Sequence, residues 1–397
     1  MKLRRLLEIF ALVSFIIIGF VIVWGGVPFF GEALPPEEPP LQEALPPEEP
    51  PLREVLPSEE PPLREARFWV GLGDGWVQCT LCFRNCTIAE GRRGYCTVRV
   101  NRGGRLYTLV YGMVTAQVDP VEKEPLFHFL PGTLTLCFGT AGCNFKCIFC
   151  HNWRLATRTP EEVGIRNFTS PEYAVGIAIE LGLTSISFTY NEPTVFYEWV
   201  YDVAKLAQEK GLRTYFHTNA AINPEPLKAL LPHLDAVCVD LKGFTAGFFR
   251  EVAFADMEPV LNTLKIIRES GVWFEIVNLV IPTLNDDMER IREMCIWIRD
   301  NLGTDVPLHF TRFTPAFRLT RLPPTPIRTL EQARAIAMEV GLEFVKIGNV
   351  PGHEANNTFC PQCGEIIIER VHFTVHANHI EDGNCKFCGH QIPGVWK

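Results

Sequence analysis

No excess of positive charge runs through this chain. Its 37 Lys and Arg stand against 46 Asp and Glu, for a net charge of −9 at pH 7. Residues 1–31 carry +2 and residues 32–65 carry −8, which leaves −3 of the −9 for the rest. So nearly balanced a remainder lacks the basic footprint of a nucleic-acid-binding domain, and no nucleic-acid partner is expected. The second lack is local. The stretch GCNFKCIFCHN, Gly142–Asn152, places Cys143, Cys147 and Cys150 in a C-x3-C-x2-C pattern with no fourth cysteine beside them. A closed structural zinc site needs four protein ligands, and a four-iron cluster is ordinarily held by four thiolates. Three in one short loop leave a metal position open to a substrate or cofactor. The competing arrangement is a zinc site completed by His151 or a distant cysteine.

The 14 cysteines are clustered rather than spread. Tight C-x2-C spacing in a large chain reads as metal ligation, not as a disulfide framework. Cys79, Cys82, Cys86 and Cys96 form one group in CTLCFRNCTIAEGRRGYC. Four thiolates in that loop-rich stretch close a zinc site or hold an auxiliary iron–sulfur cluster. Cys360, Cys363, Cys385 and Cys388 form paired C-x2-C-G knuckles about twenty residues apart, the pattern of a zinc ribbon. His372, His376 and His379 lie between the knuckles and are superfluous to that site. Cys137, Cys238 and Cys295 stand alone in apolar surroundings and are expected to be buried and inert.

Ile9–Phe30 is almost wholly apolar and about as long as a bilayer-spanning helix. It is long for a signal-peptide core, and no clear A-x-A site follows, so an uncleaved N-terminal membrane anchor is expected. Lys2, Arg4 and Arg5 favour a cytoplasmic N-terminus with the rest outside, and Arg4-Arg5 loosely resembles half of a twin-arginine signal. An iron–sulfur centre on the cysteine loop would draw its electrons from cytoplasmic supplies, so a domain on the cytoplasmic face is adopted as the expectation. Residues 32–64 repeat EALPPEEPPLQ, EALPPEEPPLR and EVLPSEEPPLR. Such a stretch builds no core and reads as a stiff polyproline II spacer, roughly 100 Å if fully extended; the alternative is a docking motif for a partner.

From Leu134 the chain alternates strand and helix. Strands are expected at 134–138, 185–190, 212–218, 236–241, 272–281, 307–313 and 343–347. Helices are expected at 171–182, 193–210, 224–231, 257–270, 286–301 and 330–340. This is the pattern of an α/β fold with a parallel sheet, a partial or complete (β/α) barrel. Active residues then belong just after the strands. The cysteine loop, Asn191-Glu192, His217-Thr218-Asn219, Asp240 with Lys242, and Pro282 with Asn285 all fall there. The expected segments are an anchor (1–31), a linker (32–66), a Cys-rich metal-binding segment (67–125), a core domain (126–350) and a ribbon-like domain (351–397).

With these features in place, the chain resembles the radical SAM (S-adenosylmethionine) protein of the AmmeMemoRadiSam system, a family placed with the activating enzymes of glycyl radical enzymes, such as that of pyruvate formate-lyase. The likeness runs from about Gly75 to Trp396. It is carried by CTLCFRNCTIAEGRRGYC, DPVEKEPLFHFLPG, GCNFKCIFCHN, TYNEPT, LDAVCVDLKGF, LVIPTLND, PLHFTRFTP, IGNVPG, NTFCPQCG and the terminal GVW. The resemblance implies a radical SAM barrel and a 4Fe–4S cluster on Cys143, Cys147 and Cys150, with SAM on the fourth iron. Phe149 and His151 would flank SAM. Asn191 and Glu192 stand where the activating enzymes have a Gly-Gly-Glu segment, Asp240 and Lys242 match an Asp-Leu-Lys motif, and Thr218 and Asn219 match a Thr-Asn-Gly turn. Glu192 would receive the SAM ammonium and Lys242 its carboxylate. Two departures stand out: Ala220 replaces the glycine of that turn, and Ala316-Phe317 follows Pro315 where an activase would carry histidine.

The function so implied is reductive cleavage of SAM to a 5′-deoxyadenosyl radical that abstracts hydrogen from an unidentified substrate. The alternatives are an activase acting on a protein glycine, a membrane-tethered iron–sulfur electron carrier, and a zinc-organised scaffold. The partners implied are a reductant such as ferredoxin or flavodoxin, and the AMMECR-type and Memo-like proteins for which the family is named.

Overall fold

The computed structural model describes residues 63–397. The expected anchor, and the repeat as far as Pro62, lie outside them. Among the described residues no helix is long and apolar enough to cross a membrane.

One eight-stranded sheet organises the molecule. Its strands are β1 (Thr115–Pro120), β2 (Leu134–Gly139), β3 (Ser185–Phe188), β4 (Arg213–Thr218), β5 (Ala236–Asp240), β6 (Trp273–Val280), β7 (Leu308–Arg312) and β8 (Val345–Gly348). They lie side by side in chain order. β1 and β2 pair antiparallel, and every later neighbour pair is parallel. The crossovers carry α1 (Pro171–Glu180), α2 (Tyr197–Glu209), α3 (Pro224–Leu230), α4 (Glu258–Ser270), α5 (Met288–Leu302) and α6 (Ile327–Val340). The order ends at β1 and β8 without closing, so this is the partial form of the barrel. The sheet takes its first strand from within the 67–125 segment.

Two-residue periodicity explains why the sheet has helices on one side and a polar chamber on the other. Ile186, Phe188, Phe216, Val237, Val239, Ile276 and Phe310 belong to the main apolar core. The intervening residues Ser187, Tyr215, His217, Glu275, His309 and Lys346 share the opposite face, where Ser187 stands in register with Tyr215 and His309 with Lys346. That face corrects the expectation for one lone cysteine, Cys137. Cys137 Sγ lies 3.9 Å from the Glu124 carboxylate in a buried polar setting, whereas Cys238 is buried in an apolar cluster with Val121, Leu126, Phe129 and Val277, as expected. Cys295 sits in the apolar core as expected.

The expected helix 193–210 is two elements. A 3-10 turn, Pro193–Phe196, is capped by Glu192, whose carboxylate accepts from Thr194 N at 3.0 Å, and α2 follows it. The Cys-rich stretch is more regular than expected. It holds a three-stranded antiparallel sheet (Trp69–Gly73, Trp76–Cys79, Thr87–Ile88) and a second one (Arg64–Glu65, Arg99–Arg102, Arg105–Thr108). Those strands have two to five residues, too short to show a period.

The ribbon docks near the N-terminal ends of the strands. Its antiparallel pair, Ile366–Val371 and Thr374–Asn378, inserts the fully buried Arg370. Arg370 donates to Phe127 O at 2.6 Å and Thr358 Oγ1 at 2.9 Å, and lies 4.4 Å from the Phe127 ring centre. Val395 exchanges backbone bonds with the same segment: Leu130 N donates to Val395 O, and Val395 N to His128 O, each at 2.7 Å. Glu275 accepts from the amides of Phe127 (3.0 Å) and His128 (2.7 Å) and from His309 Nε2 (2.7 Å).

Candidate active site

A cavity of about 220 Å³ opens at the C-terminal ends of β2–β7. All eleven residues that the sequence proposes for cluster and SAM binding line it: Cys143, Cys147, Phe149, Cys150, His151, Asn191, Glu192, Thr218, Asn219, Asp240 and Lys242.

The cysteine loop is held from several sides. Asn191 bridges its start, accepting from Thr140 N at 2.9 Å and donating to Gly142 O at 2.8 Å. Asn219 Nδ2 donates to Asn144 Oδ1 at 2.7 Å and lies 3.8 Å from Cys143 Sγ. Lys146 N and Ile148 N donate to Ala253 O and Val252 O. Asn152 Nδ2 donates to Tyr190 O at 2.6 Å.

Glu192 is a bracket more than an open ligand. Its carboxylate is buried and accepts from Thr194 Oγ1 (2.6 Å), Thr218 Oγ1 (2.7 Å) and Asn219 N (2.8 Å), besides Thr194 N. Burial pushes its pKa up, against those donors. Asn191 and Glu192 thus spend their polar atoms positioning the loop and the β4 end.

Asp240 and Lys242 form an ion pair at 2.8 Å. Burial opposes charge on Asp240, but Lys242 and then His217 hold its carboxyl well below the usual range. Burial is the largest influence on Lys242 and works against its charge, but Asp240, Cys147 and Cys150 together outweigh it and raise its pKa. Its Nζ lies 5.9 Å from the Phe149 ring centre. Burial pushes the Cys147 thiol up to about 12, with Lys242 opposing. Burial, then Glu192, drives Cys143 well above its usual range. Such sulfurs become thiolates when a metal replaces their protons.

The donor set fits a multi-iron cluster better than one small ion. Among the described residues, two groups of potential ligand atoms lie mutually within 4.8 Å: the ribbon cysteines and Asp119–Glu124–Cys137. The three loop sulfurs share a cavity wall without meeting that limit, as expected if each binds a different iron. Neither group includes His151, which stands at the rim, 3.4 Å from Thr314 Oγ1. At the ribbon, Cys360–Cys388 and Cys363–Cys385 sulfurs are 3.6 and 3.8 Å apart. A tetrahedral zinc with bonds of about 2.3 Å gives edges of about 3.8 Å.

Sequence comparison bears on the same loop. Residues 138–295 match the radical SAM superfamily. An uncharacterized protein of Methanocaldococcus jannaschii is 46% identical over 333 residues, 83% of this chain and 99% of that protein. The chain belongs to the radical SAM superfamily. This radical SAM protein is also 26% identical over 194 residues to the pyruvate formate-lyase-activating enzyme of Clostridium pasteurianum, covering 47% of this chain and 78% of that enzyme. SuiB of Streptococcus suis, solved with S-adenosylmethionine, aligns at a TM-score of 0.45 with 17% identity, over 61% of this chain and 56% of that one.

Sequence reasoning placed His217 at a strand end but missed the carboxylates that it meets behind the radical SAM cavity. His217 bridges two carboxylates, with Nδ1 3.2 Å from Glu124 Oε2 and Nε2 3.4 Å from Asp240 Oδ1. Glu124 also accepts from Thr189 Oγ1. Asp119 accepts from Tyr190 OH at 2.8 Å and Lys123 Nζ at 2.6 Å. The carboxylates of DPVEKEP were the available signal; their position before β2 hid their place at the strand ends. Tyr190 and Ala220 both take left-handed backbone, φ 67° and 60°. At Ala220 that backbone is one that glycine would take without strain. Beyond Pro315 and Ala316, Phe317 stacks on Trp153 at 5.3 Å.

Proposed function

We propose that this protein is a radical SAM enzyme that cleaves SAM reductively and abstracts hydrogen from a substrate bound over the same cavity. The observation that carries the reading is the meeting of three non-chelating cysteines with the Asp240–Lys242 pair around one chamber. A 4Fe–4S cluster on Cys143, Cys147 and Cys150 with SAM on its open iron supplies one-electron cleavage of the sulfonium to methionine and a 5′-deoxyadenosyl radical. The protein's part is placement. Lys242 offers the SAM carboxylate a cation, and Phe149 and His151 flank the cofactor. Thr218 and Asn219 shape the wall through Glu192. The similarity to activating enzymes is compatible with a protein glycine as substrate. Ala316-Phe317 after Pro315, where the resemblance to activases leads one to expect histidine, favours a different one.

A reductant of the ferredoxin or flavodoxin class, zinc on the ribbon, and AMMECR-type and Memo-like partners belong to the same proposal. So do the N-terminal anchor and the placement of the enzyme on the cytoplasmic face. Anaerobic incubation of reconstituted protein with dithionite and SAM is expected to yield 5′-deoxyadenosine, and Cys147→Ala to abolish it. No product from protein carrying its full iron complement overturns the reading.

A further inference from the structure

The first cysteine group lies against the SAM-binding loop. Cys79, Cys82, Cys86 and Cys96 line one small cavity together with Arg99 and Asn144, the residue that follows Cys143. The two loops touch at backbone level. A β-carbon on Gly142 would stand 2.5 Å from Cys96 O, and Gly142 has φ +88°, so only glycine permits the approach. Arg84 Nε donates to Asn144 O at 3.0 Å, and the Phe83 and Phe145 rings meet edge to face at 5.8 Å.

The spacing of these sulfurs separates the two metals that four thiolates accept. The ribbon cysteines show what a zinc-sized tetrahedron looks like in this chain, with sulfurs 3.6 and 3.8 Å apart. Among the described residues the 79–96 group does not gather within 4.8 Å, and in this it behaves like Cys143, Cys147 and Cys150. A four-iron cube holds thiolates farther apart than one zinc does, because each sulfur binds its own iron. Arg99 adds an independent sign. It is buried, with Nη2 paired to Glu198 at 2.5 Å and Nη1 reaching Arg67 O at 3.0 Å. Its Nε is buried without a partner. An unmet buried donor costs about 1–3 kcal/mol, and the sulfides of an iron–sulfur cluster would accept from it.

We propose that Cys79, Cys82, Cys86 and Cys96 hold a second 4Fe–4S cluster that passes electrons to the one on the SAM-binding loop. The second step rests on the function proposed above. Exposure supports the direction of flow: three of the four outer cysteines (Cys82, Cys86 and Cys96) are partly exposed and Cys79 is buried, whereas of the inner three only Cys150 is partly exposed and Cys143 and Cys147 are buried. A low-potential one-electron donor of the ferredoxin or flavodoxin class is oxidised by one electron at the outer thiolate group. That electron crosses the Cys96–Gly142 contact to the inner group. There it enters the carbon–sulfur bond of SAM, which breaks into methionine and the 5′-deoxyadenosyl radical. No proton is needed.

The test is metal stoichiometry with electron paramagnetic resonance on the full chain, reconstituted anaerobically with iron and sulfide and reduced with dithionite. The expected wild-type content is about eight iron and one zinc per chain. A Cys143→Ala/Cys147→Ala/Cys150→Ala variant should keep about four iron, with a signal that SAM does not shift. Cys82→Ser should also keep about four, with a signal that SAM does shift. Wild type should show the two signals broadened by mutual magnetic coupling, and each variant should lose that broadening. Four iron and two zinc in wild type, or an iron-free triple variant, overturns the second cluster. A SAM-responsive cluster in those same samples leaves the proposed function standing, and its absence fails that reading separately. Two intact clusters without coupling overturn the electron path. Wild-type stoichiometry needs no substitution, so a variant that does not fold leaves the question decided.

Discussion

Lys242 Nζ lies 2.8 Å from Asp240 Oδ2 in the wall that also carries the three loop cysteines. The pair is only partly closed off, with Asp240 29% exposed and Lys242 16%. Breaking a fully buried pair costs about 3–5 kcal/mol, and this one should cost less. Lys242→Met is expected to weaken SAM binding at least tenfold, about 1.4 kcal/mol, by isothermal titration to the reconstituted protein. Asp240→Asn with Lys242→Met should recover stability without recovering SAM. Equal SAM affinity in wild type and Lys242→Met would remove the lysine from the site.

Glu192 is argued to hold the site rather than touch its ligand, and the two roles separate in one variant. Glu192→Gln keeps the shape but turns one oxygen into a donor, against Thr194 and Thr218 on one side or Asn219 N on the other. Such a clash costs about 1–3 kcal/mol. The urea midpoint should fall accordingly, and iron retention with it. Unchanged stability together with lost SAM binding would instead make Glu192 a ligand.

The alternation of strands and helices was legible because each element is long enough to show its period. The strand-end rule picked out Cys143, Glu192, Asn219 and Lys242, which line one cavity because parallel strands put their C-terminal ends on one side. Three things were not legible. The polar inner face misled the reading of Cys137, whose flanking residues Leu136 and Phe138 point into the opposite, apolar layer. Residue identity at Glu192 suggested a free carboxylate, and only the fold shows it already taken by four donors. The contact of Cys96 with Gly142 joins residues 46 positions apart and has no local signature.

That contact makes its own prediction. Gly142→Ala would place a methyl 2.5 Å from Cys96 O and 2.7 Å from Val98 Cγ1, on left-handed backbone. Overpacking of this kind costs about 1–3 kcal/mol, and the displaced atoms belong to two cysteine groups at once. Iron content should fall at both groups, whereas Gly176→Ala, with open space around its α-carbon, should leave it unchanged. Normal iron content in Gly142→Ala would show that the loops can part without harm.

The last prediction concerns acid and the C-terminal ribbon. His128 is buried, donates from Nδ1 to Pro393 O at 2.8 Å, and has no partner for Nε2. Burial, aided by Lys346 and Arg370 and opposed by Glu275, brings its pKa from 6.5 down to about 3. The unfolded chain therefore takes up this proton below about pH 6.5, while the folded chain refuses it until about pH 3. Stability from this group is complete above pH 6.5 and is lost as pH falls, by up to about 1.4 kcal/mol per pH unit. His309 is lowered by burial in the same sense and adds to the slope. Glu275, held at about 2 despite its burial by His309 and the surrounding donors, stays ionised through this window. Between pH 6.5 and 5 the unfolding free energy should drop, and exchange of the Leu130 and Val395 amides should quicken ahead of the β4 and β5 amides. His128→Phe keeps a ring in the site but cannot take a proton, so it should remove about half of the slope at a fixed loss of about 1 kcal/mol for the Pro393 bond. An unaltered slope in that variant would assign the acid response to His309 alone.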